Sequence, residues 1–340
     1  MRVASLFCGC GGFDLGARGG FVFLGRRYAR LATANVIAVD ADASACAIYR
    51  QNLGPVRCAR VEDVADWPAA DVVIAGPPCQ PFSAAGSKRG PGDARNALPA
   101  LARAIDAIRP RAALVENVPG LFERAAGRPA LDEFLHAMWD LGYVESMRVI
   151  DAADFGVPQH RRRLFIALVL GAEPFAFPAP THGPGTARPH VTVREAIADL
   201  NAPCVDMGGR AGFVRMVWRG RPRPRPTDPG RGRPCCKPSN NLSGAVHLRR
   251  LREGERVHPK FGASARRVIA DEPFPTIKAA DSAAPRLIHP WFDRPLTMAE
   301  LLRAQSCPDD FIVPRRTGAI GNAVPPVLAW HLVRALVIRE

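Results

Sequence analysis

The chain has 340 residues, 47% of them hydrophobic and 23% charged, with 46 lysines and arginines against 32 aspartates and glutamates. That apolar content fills one large or two modest cores, which excludes a chain that needs disulfide staples to fold, and no apolar run approaches the roughly 18 residues of a membrane span. The formal charge of +14 points to a polyanionic partner, although only four of the basic residues are lysines, a bias that a GC-rich coding background also produces.

Residues 3–7 are a short apolar run that leads into Cys8-Gly9-Cys10-Gly11-Gly12-Phe13-Asp14-Leu15-Gly16, the pattern of a strand, a glycine-rich turn and a helix start. Residues 20–34 carry Arg26, Arg27 and Arg30 and read as a solvated helix face. Further strands are predicted at 36–39, 72–75, 112–116 and 164–170, with helices at 97–108 and 130–141 between them. This alternation predicts a doubly wound, mainly parallel α/β sheet. From 174 to 234 prolines and arginines replace the apolar runs, and the Arg/Pro-rich stretch 219–234 reads as an exposed or disordered insert. Residues 296–305 read as a helix, and Asn322-Ala323-Val324-Pro325-Pro326 leads into a terminal helix that ends near Arg339.

Glycines at the carboxyl edge of such a sheet let the backbone approach a ligand closely. Asp40 ends the next strand, where a carboxylate binds ribose hydroxyls, and Asp63 is placed to accept from an adenine amino group. Together they point to an adenosyl cofactor without separating NAD from S-adenosylmethionine. Cys79 follows the apolar run 72–75 in Gly76-Pro77-Pro78-Cys79-Gln80-Pro81-Phe82-Ser83, where the prolines restrict the backbone and hold a thiol at the sheet edge. Val115-Glu116-Asn117-Val118 delivers a carboxyl group to the same edge.

These segments resemble the C5-cytosine DNA methyltransferases, with the family's motifs in order along nearly the whole chain. Pro78-Cys79-Gln80 matches the loop that carries the nucleophile, Glu116-Asn117-Val118 the strand end that carries the acid, and Gln159-His160-Arg161-Arg162-Arg163 the Gln-x-Arg-x-Arg element. Ser83 to Gly86 and Asp93-Ala94-Arg95-Asn96 resemble the mobile loop that closes over the extruded base. Residues 294–311 resemble the motif supporting the recognition domain, and 321–326 the last motif, which completes the cofactor pocket. The resemblance implies a Rossmann-like fold, S-adenosylmethionine as cofactor, S-adenosylhomocysteine as product, no metal, and double-stranded DNA as substrate. It implies that Cys79, Glu116, Arg161 and Arg163 are catalytic, that Phe7, Gly9, Gly11, Asp40, Asp63, Pro78, Leu98 and Asn322 hold the cofactor, and that Gln80, Ser83, Arg95 and Gln159 contact DNA.

A thiol and a carboxyl suit that chemistry, because C5 of cytosine is too poor a nucleophile to take a methyl group from a sulfonium unaided. Thiolate addition at C6 makes C5 nucleophilic, and a carboxylic acid assists by hydrogen bonding at N3. Asp40 stands where the family usually has Glu, Ala299 where it has Arg, and Cys307 where it has Phe.

The expected catalytic domain is 1–190 completed by 312–340, and 191–311 is the expected target-recognition domain and hinge. Nine scattered cysteines without a C-x-x-C pair read as free thiols in a reducing compartment, and the start of the chain shows no signal pattern. The expectation is a cytoplasmic, nucleoid-associated monomer that serves beside a restriction endonuclease. His160 is expected to be structural or phosphate-facing, Trp218 to belong to a satellite core, and His247, His258 and His289 to bind no metal.

Overall fold

The computed structural model describes residues 1–78, 96–171, 173–200, 213–214, 266–280, 287–292, 295–314 and 317–337. Cys79, Gln80, Ser83, Arg95, Trp218, His247, His258 and the 219–234 insert lie outside the described residues.

Seven strands make the central sheet: β1 (Arg2–Leu6), β4 (Ala34–Asp40), β5 (Arg57–Cys58), β6 (Val72–Ala75), β7 (Ala112–Asn117), β8 (Tyr143–Asp151) and β9 (Arg162–Leu170). Their order is β5-β4-β1-β6-β7-β9-β8, parallel from β5 to β7 and antiparallel at the β7–β9 and β9–β8 pairs. The mainly parallel, Rossmann-like sheet expected from the apolar runs is present. Successive side chains leave on opposite faces, so Val72, Ile74, Leu114 and Phe165 enter one core while Val73, Ala75, Val115 and Ile166 enter the other. Both faces are covered, as a parallel sheet requires. Helices α3 (Leu98–Ile108) and α5 (Arg128–Asp140) cover the second face. The first is covered by α1 (Gly12–Arg18) and the terminal helix (Pro326–Val337), which pack together. Their approach depends on Gly16, where a Cβ would stand 2.4 Å from Ala329 Cβ and 2.5 Å from Pro326 O.

The stretch 20–34 is not a helix face but a hairpin of β2 (Phe21–Phe23) and β3 (Arg26–Tyr28). Leu24 and Gly25, at φ 46° and 74°, form its two-residue turn, the left-handed geometry whose twist suits paired strands. Phe21, Phe23 and Tyr28 point inward, Tyr28 meets Trp330 edge-on at 5.3 Å, and the Trp330 indole donates to Ala29 O at 2.8 Å. A helix, α6 (Val193–Ile197), also stands inside the proline-rich stretch, opened by a capping box in which Thr192 and Glu195 each accept from the other's backbone N–H.

A smaller core joins Val193, Ile197, Val268, Phe274, Ile277 and Leu287 to Leu301 and Ala304 of α7 (Met298–Ala304). Residues 319–337 are apolar enough by average composition to span a membrane, but 78% of that stretch is buried within the fold.

Candidate active site

The register brings the functional segments to one edge. Leu6 pairs with Val39 and Ala75, and Ala75 with Val115, so the next residues along, Phe7, Asp40, Gly76 and Glu116, lie together at the ends of four adjacent strands. Cys8 N–H donates to Val39 O at 3.1 Å and Gly76 N–H to Leu6 O at 3.3 Å, keeping the emerging chains together.

Beyond β1 the backbone turns through left-handed conformations at Phe7, Gly9 and Gly11 (φ 53°, 56° and 89°). A Cβ on Gly11 would stand 2.2 Å from Leu53 Cδ1, whereas one on Gly9 would meet nothing within 4 Å among the described residues, which leave an open cradle over Gly9. Gly9 N–H donates to Asp40 Oδ2 at 2.7 Å and Asp42 N–H to Asp40 Oδ1 at 2.8 Å. Burial pushes the Asp40 carboxyl above its ordinary range, against these two hydrogen bonds. Asp63 and Asn322 are exposed, Pro78 is the exposed last residue before Cys79, and Leu98 is buried at the start of α3. A glycine cradle with open space and a carboxylate at the end of β4 that holds the turn through Gly9 N–H fit an adenosyl cofactor.

Asp14, unassigned from the sequence, supports this cradle from beneath. Its carboxylate is 2% exposed and accepts from Ser5 Oγ at 2.8 Å, Asn35 Nδ2 at 2.5 Å and Tyr49 Oη at 2.9 Å. Burial raises its pKa, and the three donors only partly oppose the shift. A group whose folded pKa lies above the unfolded one stabilises the fold below the unfolded value, and that contribution is lost as pH rises to the folded one. Asp14→Asn keeps an acceptor and the Ser5 hydroxyl can reverse its bond, so urea unfolding over a pH series is expected to show a shallower loss of stability above pH 4 than in wild type; parallel profiles would refute this. The sign of its charge within Phe13-Asp14-Leu15 was the available signal: a carboxylate in an apolar first turn.

Glu116, 8% exposed near the end of β7, meets Arg163 of β9, with Nε 2.9 Å from Oε1. The contact is an ion pair without hydrogen-bond alignment, so Oε1 is buried with no donor directed at it among the described residues. Next to it, Asn117 Nδ2 donates to Pro77 O at 3.5 Å, tying this strand end to the segment that leads into Cys79. Arg162 pairs with Glu123 on the outside at 2.9 Å.

The remaining members of the Gln-x-Arg-x-Arg element turn inward. Arg161 is 1% exposed, and its Nη1 donates to Ile277 O at 3.1 Å and Gly321 O at 3.0 Å. Gln159 is fully buried with both ends of its amide bonded to protein, so its placement is an internal joint and not the DNA-facing position expected for it. His160 is exposed at the same turn, 2.9 Å from Asp151. His289 is buried beside Glu300 at 3.3 Å. Among the described residues no three His, Cys, Asp or Glu side chains converge as a metal site.

The C-5 cytosine-specific DNA methylase family matches residues 1–337. Type II methyltransferase M.AplI of Arthrospira platensis is 32% identical over 99% of this chain and 85% of its own length. Type II methyltransferase M.AgeI of Thalassovita gelatinovora is 28% identical over 99% of both. In fold, the chain is similar to an E. coli prophage-encoded protein described as a DNA modification methyltransferase, with a TM-score of 0.70 and 21% identity over the full length of both chains. It is also similar to Schizosaccharomyces pombe Dnmt2, with a TM-score of 0.58 and 15% identity over all of this chain and 98% of the other. With the motifs in order, the glycine cradle and the Glu116–Arg163 pair at one sheet edge, the chain belongs to the C-5 cytosine-specific DNA methylase family and is a DNA (cytosine-5)-methyltransferase that uses S-adenosylmethionine.

Proposed function

We propose that the protein methylates C5 of a cytosine within a specific duplex DNA sequence through a covalent bond between Cys79 and C6 of the base. The observation that carries this reading is Glu116: its buried Oε1 has Arg163 2.9 Å away but no aligned donor among the described residues, so a ligand with a hydrogen-bond donor completes the site. Cytosine brings such a donor in its amino group, and its N3 accepts from the carboxyl when that is protonated. The base has to leave the helix to reach this edge, at a cost of about a few kcal/mol that protein–DNA contacts offset.

Cys79 then adds to C6 as the thiolate while Glu116 holds the N3 side of the ring. S-adenosylmethionine supplies an electrophilic methyl group. Phe7, Gly9, Gly11, Asp40, Asp63, Pro78, Leu98 and Asn322 are the residues we assign to holding it, and S-adenosylhomocysteine is the product. Loss of the C5 proton, with water as the acceptor, and expulsion of the thiolate complete the cycle.

We assign 1–190 and 312–340 to the catalytic domain and 191–311 to target recognition and hinge; the smaller core spanning Val193 to Ala304 supports that division. Gln80, Ser83 and Arg95 are assigned to DNA. The names of the Type II relatives support a place beside a restriction endonuclease. Bisulfite sequencing of DNA from a host that expresses the chain tests the reading. We expect protection of cytosines at one short recurring sequence; a conversion pattern identical to that of the empty host would overturn it.

A further inference from the structure

Beneath the site, two glutamines and an arginine close a polar joint that the chemistry above does not use. Ile277 N–H donates to Gln159 Oε1 at 2.8 Å, which leaves Gln159 Nε2 facing Ala304 O at 3.0 Å and Gln305 Oε1 at 2.6 Å. Gln305 Nε2 then faces Ala323 O at 2.5 Å. Flipping either amide would set donor against donor or acceptor against acceptor, so only one orientation of the pair satisfies all partners. Arg161 spans the same gap from Ile277 O to Gly321 O. Gln159 and Gln305 are fully buried and Arg161 nearly so.

The groups joined belong to different parts of the molecule. Ile277 and Ala304 lie in the smaller core, Gly321 and Ala323 flank Asn322, and Arg163, the partner of Glu116, follows Arg161 by two residues. Contact at the joint is close enough that a Cβ on Gly321 would stand 2.2 Å from Lys278 C and 2.3 Å from Ala279 N. Sliding the 277 segment past 321–323 would strand several buried donors and acceptors at once, so the two segments move together or not at all.

We propose that Gln305, with Gln159, is a positioning residue that couples engagement of DNA by the recognition part to occupancy of the S-adenosylmethionine edge. The proposal rests on the division of labour given under Proposed function. Coupling of this kind is reciprocal: each ligand tightens the other by the same factor.

The test is the Kd of S-adenosylmethionine measured with and without a duplex that wild type has first been shown to methylate by label transfer, which separates failure of this proposal from failure of the DNA reading. In wild type the duplex is expected to tighten cofactor binding by about 5-fold or more. In Gln305→Met, of similar volume without the amide, the two Kd values are expected to converge while binding of cofactor alone stays within about 3-fold of wild type. Gly321→Ala wedges the same contact and leaves both amides in place, so it serves if Gln305→Met does not fold, and it is expected to lose the coupling too. A folded variant with wild-type coupling, or a wild type with none, would overturn the proposal.

Discussion

Glu116→Gln is expected to lower the rate of methyl transfer in a single turnover by about 10²- to 10⁴-fold, with the fold and cofactor affinity close to wild type. Glutamine has nearly the same shape, so the buried position near the end of β7 is refilled without a cavity, and its amide oxygen still lies beside Arg163. What the amide cannot do is give and retake a proton. Addition of a thiolate at C6 pushes electron density onto N3, and an acid there lowers the barrier by stabilising charge that appears only on the way to the adduct. The loss therefore falls on the chemical step. Rapid-quench label transfer from pre-bound S-adenosylmethionine to duplex DNA is the measurement. A wild-type rate would show that Glu116 acts only as a structural partner of Arg163.

Much of this site was legible because its parts sit where the sequence is most constrained. Strand β6 is buried on both faces, so Val72–Ala75 reads as an unbroken apolar run, and whatever follows such a run emerges at the carboxyl edge. β8 went unread because it is the edge strand of the sheet: Tyr143–Asp151 is mostly half-buried and shows no clean alternation. The hairpin at 21–28 reads as a helix face in sequence because its arginines outweigh its signal, the alternation of Phe21, Phe23 and Tyr28 around Leu24-Gly25. Thr192 and Glu195 were a readable capping box overshadowed by the prolines around them. Gln159 is a different case. Its segment was recognised, but whether it faces DNA or the interior depends on Ile277 and Gln305, 118 and 146 residues away in sequence, and local pattern carries no record of partners that far off.

Cys79→Ser is expected to abolish turnover, by more than about 10⁴-fold, and to leave the affinity for S-adenosylmethionine nearly intact. A serine hydroxyl does not supply the anion that C6 requires, whereas a thiol ionises within reach of neutral pH. The neighbouring thiols do not substitute for it. Burial pushes Cys10 and Cys46 up to about 12 and raises Cys8 and Cys307 as well, so these four stay protonated, and Cys58 is the one exposed cysteine among the described residues. Cys58→Ser is the matching control and is expected to keep its activity. Duplex DNA bearing 5-fluorocytosine separates the nucleophile from a bystander, because after methyl transfer C5 carries fluorine where a proton should leave, and the thiolate cannot be expelled. Wild type and Cys58→Ser are expected to run as a denaturant-stable protein–DNA adduct, and Cys79→Ser as free protein. Asn117, next to Glu116 on β7, donates to Pro77 O two residues before Cys79, which ties the segment leading toward Cys79 to the strand end that carries the acid. An adduct formed by Cys79→Ser would move the nucleophile elsewhere and break that pairing.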